Sequence, residues 1–372
     1  MKKVLFVAKV VRLHINLFHL PYIKWFKENG WQVDVAASND FKNPEECNIP
    51  YCDNFYPISI KRSPLRKENL QAIRQLQDLI EKEEYQIVHC HTPMGSVVAR
   101  IAAAKSRRRG TKVLYTAHGF HFYKGAPLFN WIVYYPVERI LSRFTDVLIT
   151  INREDYNRAK HLKAKQVEYV PGVGLDIDKF HQVSDVAEVR GALGLAKNDI
   201  FAITVGELIK RKNQITLIRA VAKLGNPHFH LFICGDGVEH ETLVAQIRHL
   251  GLEGQVHLLG FRKDVYRLCG SADLFLFVSL QEGLPVAVME AMACGLPVIC
   301  SDIRGNKELI TQGKGGYLVN PTDINETTQC IRQCLEKPEQ MKQMKQYNKE
   351  KIKKYRMDVV IDQMAGIYRS VM

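Results

Sequence analysis

The sequence predicts an α/β protein of two Rossmann-like domains. Three observations predict it: the length, short apolar runs spaced by helix-length segments, and a repeat of that rhythm after a Pro- and Gly-rich break. The chain has 372 residues, whereas single hydrophobic cores stop growing at roughly 250 to 300 residues, so two cores are expected. The first series of apolar runs is Val4 to Ala8, Val33 to Ala37, Ile87 to Val88, Val113 to Thr116 and Val147 to Ile151. Each reads as a buried strand, and their alternation with helices is that of parallel βαβ units. The second series is Ile200 to Val205, His230 to Cys234, Val256 to Leu259, Leu274 to Val278 and Val298 to Cys300. Between them, Val170-Pro171-Gly172-Val173-Gly174 breaks regular structure. The expected domains are residues 1–171 and 172–356. An amphipathic helix from Met357 to Met372 is expected to pack across the domain junction.

Hydrophobic residues make up 46% and charged residues 24% of the chain, ordinary values that exclude a largely disordered protein. Lys and Arg number 52 against 39 Asp and Glu, leaving +13. That field favours anionic partners: nucleotides, phosphorylated substrates, acidic lipid headgroups or nucleic acid. The nine cysteines are odd in number and form no Cys-x2-Cys pair, so neither a disulfide framework nor a zinc ribbon is indicated and a reducing cytoplasm is expected. Lys2 and Lys3 precede Val4 to Ala8 like the start of a leader, but Lys9 and Arg12 interrupt the apolar run. No stretch of about 18 apolar residues occurs, so any membrane contact is expected to be peripheral, on the inner face.

The segment from Ser279 to Pro297 is the most informative one. It reads as strand, loop, helix and stop, with Pro285 in the first helical turn, Gly295 at the end and Pro297 beyond it. The amides around Gly283 and Leu284 then become free helix-start donors suited to an anion such as a diphosphate. Glu282 and Glu290 flank that place. Carboxylates beside an anion site need a second purpose, which sugar or ribose hydroxyls supply as donors of charge-assisted hydrogen bonds.

On these residues the sequence resembles the retaining glycosyltransferases of family 4, also called group 1, whose fold is the GT-B pair of Rossmann-like domains facing each other across a cleft. The resemblance extends over Pro171 to Phe180, Val205 to Leu208, Gly235-Asp236-Gly237 and Leu259 to Asp264. It implies that Glu282 lies by the donor sugar, that Glu290 binds the ribose hydroxyls, and that Lys212 meets the donor diphosphate. The family's usual arginine after Gly206 is replaced by Glu207. Arg211 is therefore expected to supply the missing contact, and Glu207 to pair with Lys210 or Arg211. In the first half, Tyr115 to His121 ends a strand, where open α/β sheets place ligands. His118 there matches the family's active-site histidine and is expected to hydrogen-bond the donor sugar. His89, His91, His118 and His121 fit no standard zinc-ligand spacing, and satisfied structural histidines are the favoured reading. The glycine-rich turn usual after the family's first strand is replaced by Lys9 to Asn16.

Asp176-Ile177-Asp178 resembles the metal-binding pair of a different glycosyltransferase fold, but its place just after the hinge favours a turn. Arg100 to Lys112 holds six cations and no acid, a pattern of a solvated helix end or of a docking surface for acidic lipid or a diphosphate-linked lipid acceptor. The combined expectation is a retaining transferase that moves a sugar from a nucleotide diphosphate-sugar, expected to be a UDP-sugar. The acceptor is a glycan or a polyprenyl-diphosphate-linked saccharide in cell-surface polysaccharide synthesis. No metal or other cofactor is expected, because Lys212 and the helix start suffice for the diphosphate. A sugar-nucleotide epimerase or hydrolase of the same fold is the alternative. The sequence carries no nucleic-acid recognition module.

Overall fold

The computed structural model describes residues 1–64, 66–180 and 185–372. They form two compact units, Met1–Gly174 with Asp358–Met372, and Leu175–Met357. The first unit is a seven-stranded parallel sheet of β1 (Lys3–Val10), β2 (Gln32–Ser38), β3 (Asn54–Pro57), β4 (Ile87–His91), β5 (Lys112–Ala117), β6 (Val147–Thr150) and β7 (Gln166–Tyr169). The spatial order is β3-β2-β1-β4-β5-β6-β7, so the winding reverses between β1 and β4. The strand period of two decides which layer each side chain joins. Val4, Phe6 and Ala8 of β1 pack with Tyr22, Ile23 and Phe26 of α1 (Leu20–Glu28). Leu5 and Val7 face the opposite layer with Leu76, Ile80 and Val98, the last on α2 (Pro93–Ala102). Helix α3 (Leu128–Leu141) lies beyond α2 and is joined to it by a buried ion pair.

Of the cationic run Arg100 to Lys112, Arg100 and Arg107 are drawn into structural pairs, while Lys105, Arg108 and Arg109 remain exposed. The Arg100 side chain is fully buried, bonds Glu138 at 2.5 and 3.1 Å, and lies over the Tyr115 ring at 4.4 Å. Arg107 is bidentate to Asp146 at 2.9 and 3.0 Å, and Lys105 pairs with Glu81. A guanidinium taken out of water needs a matched carboxylate, and the adjoining elements supply these partners.

The second unit repeats the architecture with β8 (Ile200–Val205), β9 (Phe229–Cys234), β10 (Val256–Gly260), β11 (Leu274–Phe277), β12 (Val298–Ser301) and β13 (Gly316–Val319). All pairs are parallel, in the order β10-β9-β8-β11-β12-β13. Helix α4 (Gln214–Leu224) covers one face through Leu217, Ile218 and Val221. Helices α5 (Val286–Ala293) and α6 (Arg304–Leu309) follow β11 and β12. Three strands escape the sequence pattern, β3, β7 and β13. All are four-residue edge strands, and β3 and β7 are partly exposed, so a continuous apolar run is not required of them.

Helix α7 (Met357–Ser370), expected to pack across the junction, contributes Val360, Met364, Ile367 and Tyr368 to the first unit's core. Tyr368 stands with its ring 4.5 Å from Phe26 and its hydroxyl 3.0 Å from His89 Nδ1. Tyr368→Ala should lower unfolding free energy by about 3–5 kcal/mol through the cavity it leaves. Tyr368→Phe should cost about 1–3 kcal/mol, because the buried His89 nitrogen loses its partner. Urea unfolding followed by circular dichroism measures both, and equal stability of all three proteins would remove α7 from the core.

Candidate functional site

Parallel strands deliver their following loops to one edge, and in the second unit that edge carries the charged groups. The loop after β8 forms a tight turn, Lys210–Lys212, ended by Asn213 in the left-handed region (φ 58°). Asn213 Nδ2 donates to the carbonyls of Val278 and Pro321 at 3.1 and 2.7 Å, which pins the turn to the end of β11. Arg211 and Lys212 thereby reach Glu282. One carboxylate oxygen, Oε1, accepts from Arg211 Nη1 at 2.8 Å, Lys212 Nζ at 2.8 Å and Ser279 Oγ at 2.6 Å. Gly206 lies against the Lys212 stem, its Cβ position 3.4 Å from Lys212 Cε. Gly235 after β9 is more constrained: at φ +144° its Cβ would stand 2.0 Å from the Gly206 carbonyl oxygen. The two loops can approach this closely only because residue 235 is glycine.

Helix α5 begins at Val286 with Pro285 as its cap residue, one position earlier than the expected first turn. It stops where Gly295 turns left-handed (φ +79°) and the amides of Gly295 and Leu296 return to Met292 and Ala291. The amides of Gly283 and Leu284 donate to no described residue. Gly305 of α6 packs against this loop so closely that a Cβ would lie 2.4 Å from the Gly283 carbonyl oxygen. Arg304 Nε donates to the Glu282 carbonyl at 3.0 Å. Glu290 is half-buried on α5, and the loss of solvent around its carboxyl pushes it up to about 7 against a weaker opposing pull from Lys179. Its carboxylate makes no ion pair among the described residues.

Sequence reasoning missed Ser279 and Arg304 as members of this group. Ser279 was legible as the residue ending the β11 run, but a serine carries no signal of which oxygen it faces. Glu207 corrects an expectation. It is exposed and pairs with neither Lys210 nor Arg211 among the described residues, because the Glu282 carboxylate, 11% exposed, already draws Arg211.

In the first unit, His118 follows β5 and His91 ends β4, while His14 lies on the π-helical turn Val11–Ile15 after β1 and His19 precedes α1. These four come together, with one nitrogen from each within 4.8 Å of the others. His89 and His121, the other two of the sequence set, do not join them. His89 bonds Thr116 and Tyr368, and His121 stacks on Tyr134 at 4.6 Å. Burial holds the His118 imidazolium down to about 4, and keeps His14, His19 and His91 well below the usual histidine range, with neighbouring imidazoles adding to the effect.

Residues 3–152 match the family model described as glycosyl transferase 4-like, and residues 185–351 match that of glycosyl transferases group 1. The chain is 41% identical to the putative glycosyltransferase EpsD of Bacillus subtilis, over 100% of this chain and 97% of that one. It is 30% identical to the UDP-Gal:alpha-D-GlcNAc-diphosphoundecaprenol alpha-1,3-galactosyltransferase of Escherichia coli, over 73% and 71% of the two chains. Among solved structures it is similar to Anabaena HepE in complex with UDP and glucose, with a TM-score of 0.82 at 22% identity and full coverage of both chains. The fold is that of the GT-B glycosyltransferases.

A carboxyl held near 7 in the fold but near 4.5 in the unfolded chain stays protonated in the fold while the unfolded chain ionises. Stability is therefore lost as pH rises from about 4.5 to about 7, and the loss is complete above 7. Glu290→Gln should stabilise the protein by about 3 kcal/mol at pH 8 and by under about 1 kcal/mol at pH 5. Urea unfolding across that range measures it, and a pH-independent difference would contradict the buried carboxyl.

Proposed function

The chain belongs to the group 1 glycosyltransferases, and from that premise we propose that it moves a sugar from a UDP-sugar to a saccharide carried on a polyprenyl diphosphate, with retention of anomeric configuration, in building a cell-surface polysaccharide. The observation that carries this reading is the single oxygen of Glu282 that gathers Arg211 and Lys212 beside the uncommitted amides of Gly283 and Leu284. A diphosphate arriving at the start of α5 meets two cations and two amide donors. Its charge competes with Glu282 for Arg211 and Lys212, and the freed carboxylate oxygen becomes an acceptor for sugar hydroxyls. Charge developing on the leaving diphosphate is then met by groups already in place. This reading needs no metal between diphosphate and protein. Glu290 accepts from the ribose hydroxyls, and binding favours its ionised form.

His118 serves as an uncharged hydrogen-bonding group for the donor sugar, since its imidazolium is disfavoured at neutral pH. Retention rests on the resemblance to family 4. The name of the Escherichia coli relative supports both a uridine diphosphate donor and a lipid-diphosphate acceptor. The family sets aside the epimerase or hydrolase alternative; an acceptor-dependent assay with UDP-sugars provides the direct check. No helix of the described residues is long and apolar enough to cross a membrane. The surface that meets lipid is instead α3. Leu128, Phe129, Ile132, Val133, Val137 and Ile140 are exposed along it, and exposed Lys124, Arg139 and Arg143 flank them. Apolar side chains enter the headgroup boundary while each cation near an anionic surface adds roughly 1 kcal/mol.

Lys212→Ala should reduce turnover on the order of 100-fold or more, as loss of a donor to developing negative charge does elsewhere, whereas the exposed Glu207→Gln should change it less than about threefold. Initial rates at saturating donor rank them, and the reverse order would remove this loop from the diphosphate. Phe129→Glu with Ile132→Glu should abolish co-sedimentation with phosphatidylglycerol vesicles, and wild-type binding should weaken as salt rises. Binding indifferent to both changes would refute the α3 surface.

A further inference from the structure

The carboxyl edge of the first unit's sheet gathers four imidazoles whose nitrogens lack partners. A neutral imidazole offers one donor and one acceptor, and His89 shows the ordinary outcome, with Nε2 2.8 Å from Thr116 Oγ1 and Nδ1 3.0 Å from the Tyr368 hydroxyl. Its neighbours differ. Nε2 of His14, both nitrogens of His19, both of His91 and Nε2 of His118 are buried without a hydrogen-bond partner, six of the eleven such side-chain atoms among the described residues. Each unmatched atom leaves its loss of water uncompensated. Six in one shell call for a shared partner. Neutral imidazole is the form that ligates a metal.

We infer that His14, His19, His91 and His118 bind one divalent transition-metal ion of the zinc class. One nitrogen of each ring already lies within 4.8 Å of the others. Zn–N bonds of about 2.0–2.1 Å in a tetrahedron bring ligand nitrogens to about 3.3 Å of one another, so side-chain rotation of an ångström or so closes the site. The cluster holds no carboxylate, which disfavours magnesium and calcium and suits zinc, cobalt, nickel or copper. His91 and His118 come from the ends of β4 and β5, next to the reversal in strand order. His14 comes from the Lys9 to Asn16 segment that stands in place of the family's glycine-rich turn, so this departure from the family supplies a ligand. The ion belongs to the first unit alone and leaves the metal-free reading of the donor diphosphate unchanged. With Nε2 of His118 on the metal, its Nδ1 carries the proton and remains a donor for the sugar contact.

The test uses tag-free, chelator-treated full-length protein titrated with Co2+ and then Zn2+. The expected result is the intense visible absorption of tetrahedral cobalt, saturating at one ion per chain, abolished by Zn2+, with a melting temperature that rises with free Zn2+. His19→Asn and His91→Asn should each weaken binding on the order of 100-fold or more, a ligand mattering at least as much as its outer-shell supports. His89→Gln should keep the full stoichiometry. The wild-type cobalt spectrum stands even where a variant fails to fold. Absence of that spectrum, or equal binding by the His19 and His91 variants, would overturn the proposal and leave buried water as the partner of these nitrogens.

Discussion

Parallel strand pairing sends every chain segment out of the sheet at the same edge, and nearly every chemical group described above stands on that edge. In the first unit the loops after β1, β4 and β5 carry His14, His91 and His118. In the second, the loops after β8, β11 and β12 carry Lys212, Glu282 and Arg304. The central strands are buried on both faces, so their register is held by two apolar layers at once. The loops inherit that rigidity without needing apolar residues of their own. Side chains far apart in sequence, such as Lys212 and Glu282, thus meet at 2.8 Å.

Within the second unit, electrostatics gathers two cations beside the start of α5. Arg211 and Lys212 repel each other, and without a counter-ion their side chains would spread into solvent. Glu282 holds both on one oxygen, with Ser279 adding a third hydrogen bond. The groups are pre-placed, so little reorganisation is required when an anion displaces the carboxylate. Glu290 illustrates the opposite use of burial. Half-buried on α5 without an ion-pair partner among the described residues, it is held toward the uncharged carboxyl form.

The first unit resolves its charges differently. Two of its guanidinium groups are drawn into structural pairs, Arg100 with Glu138 and Arg107 with Asp146, while α3 presents an apolar face with flanking cations. Among its histidines, His89 is fully hydrogen-bonded while His14, His19, His91 and His118 face one another. His89 and His91 lie on the same strand, and only their neighbours differ.

Local pattern and motif reach a definite distance in this chain. The buried runs of β1, β2 and β8 read directly as strands because a strand covered on both faces must be apolar throughout. The segment from Ser279 to Pro297 reads as loop and helix because Pro285 and Gly295 have restricted or unusual backbone preferences. Edge strands β3 and β7 stay hidden, since a half-exposed edge places no continuous demand on its side chains, and β13 is only four residues long. Which charges pair was likewise beyond the sequence. Arg100 looks like a surface cation until Glu138 is brought beneath it, and Glu207 looks like the natural partner of Arg211 until Glu282 is brought closer. The histidine cluster is the clearest case: residues 14, 19, 91 and 118 share no spacing, and only the folding of three parallel strands side by side makes their rings neighbours. Such contacts depend on long-range packing, which fixes distances between segments that no local preference relates.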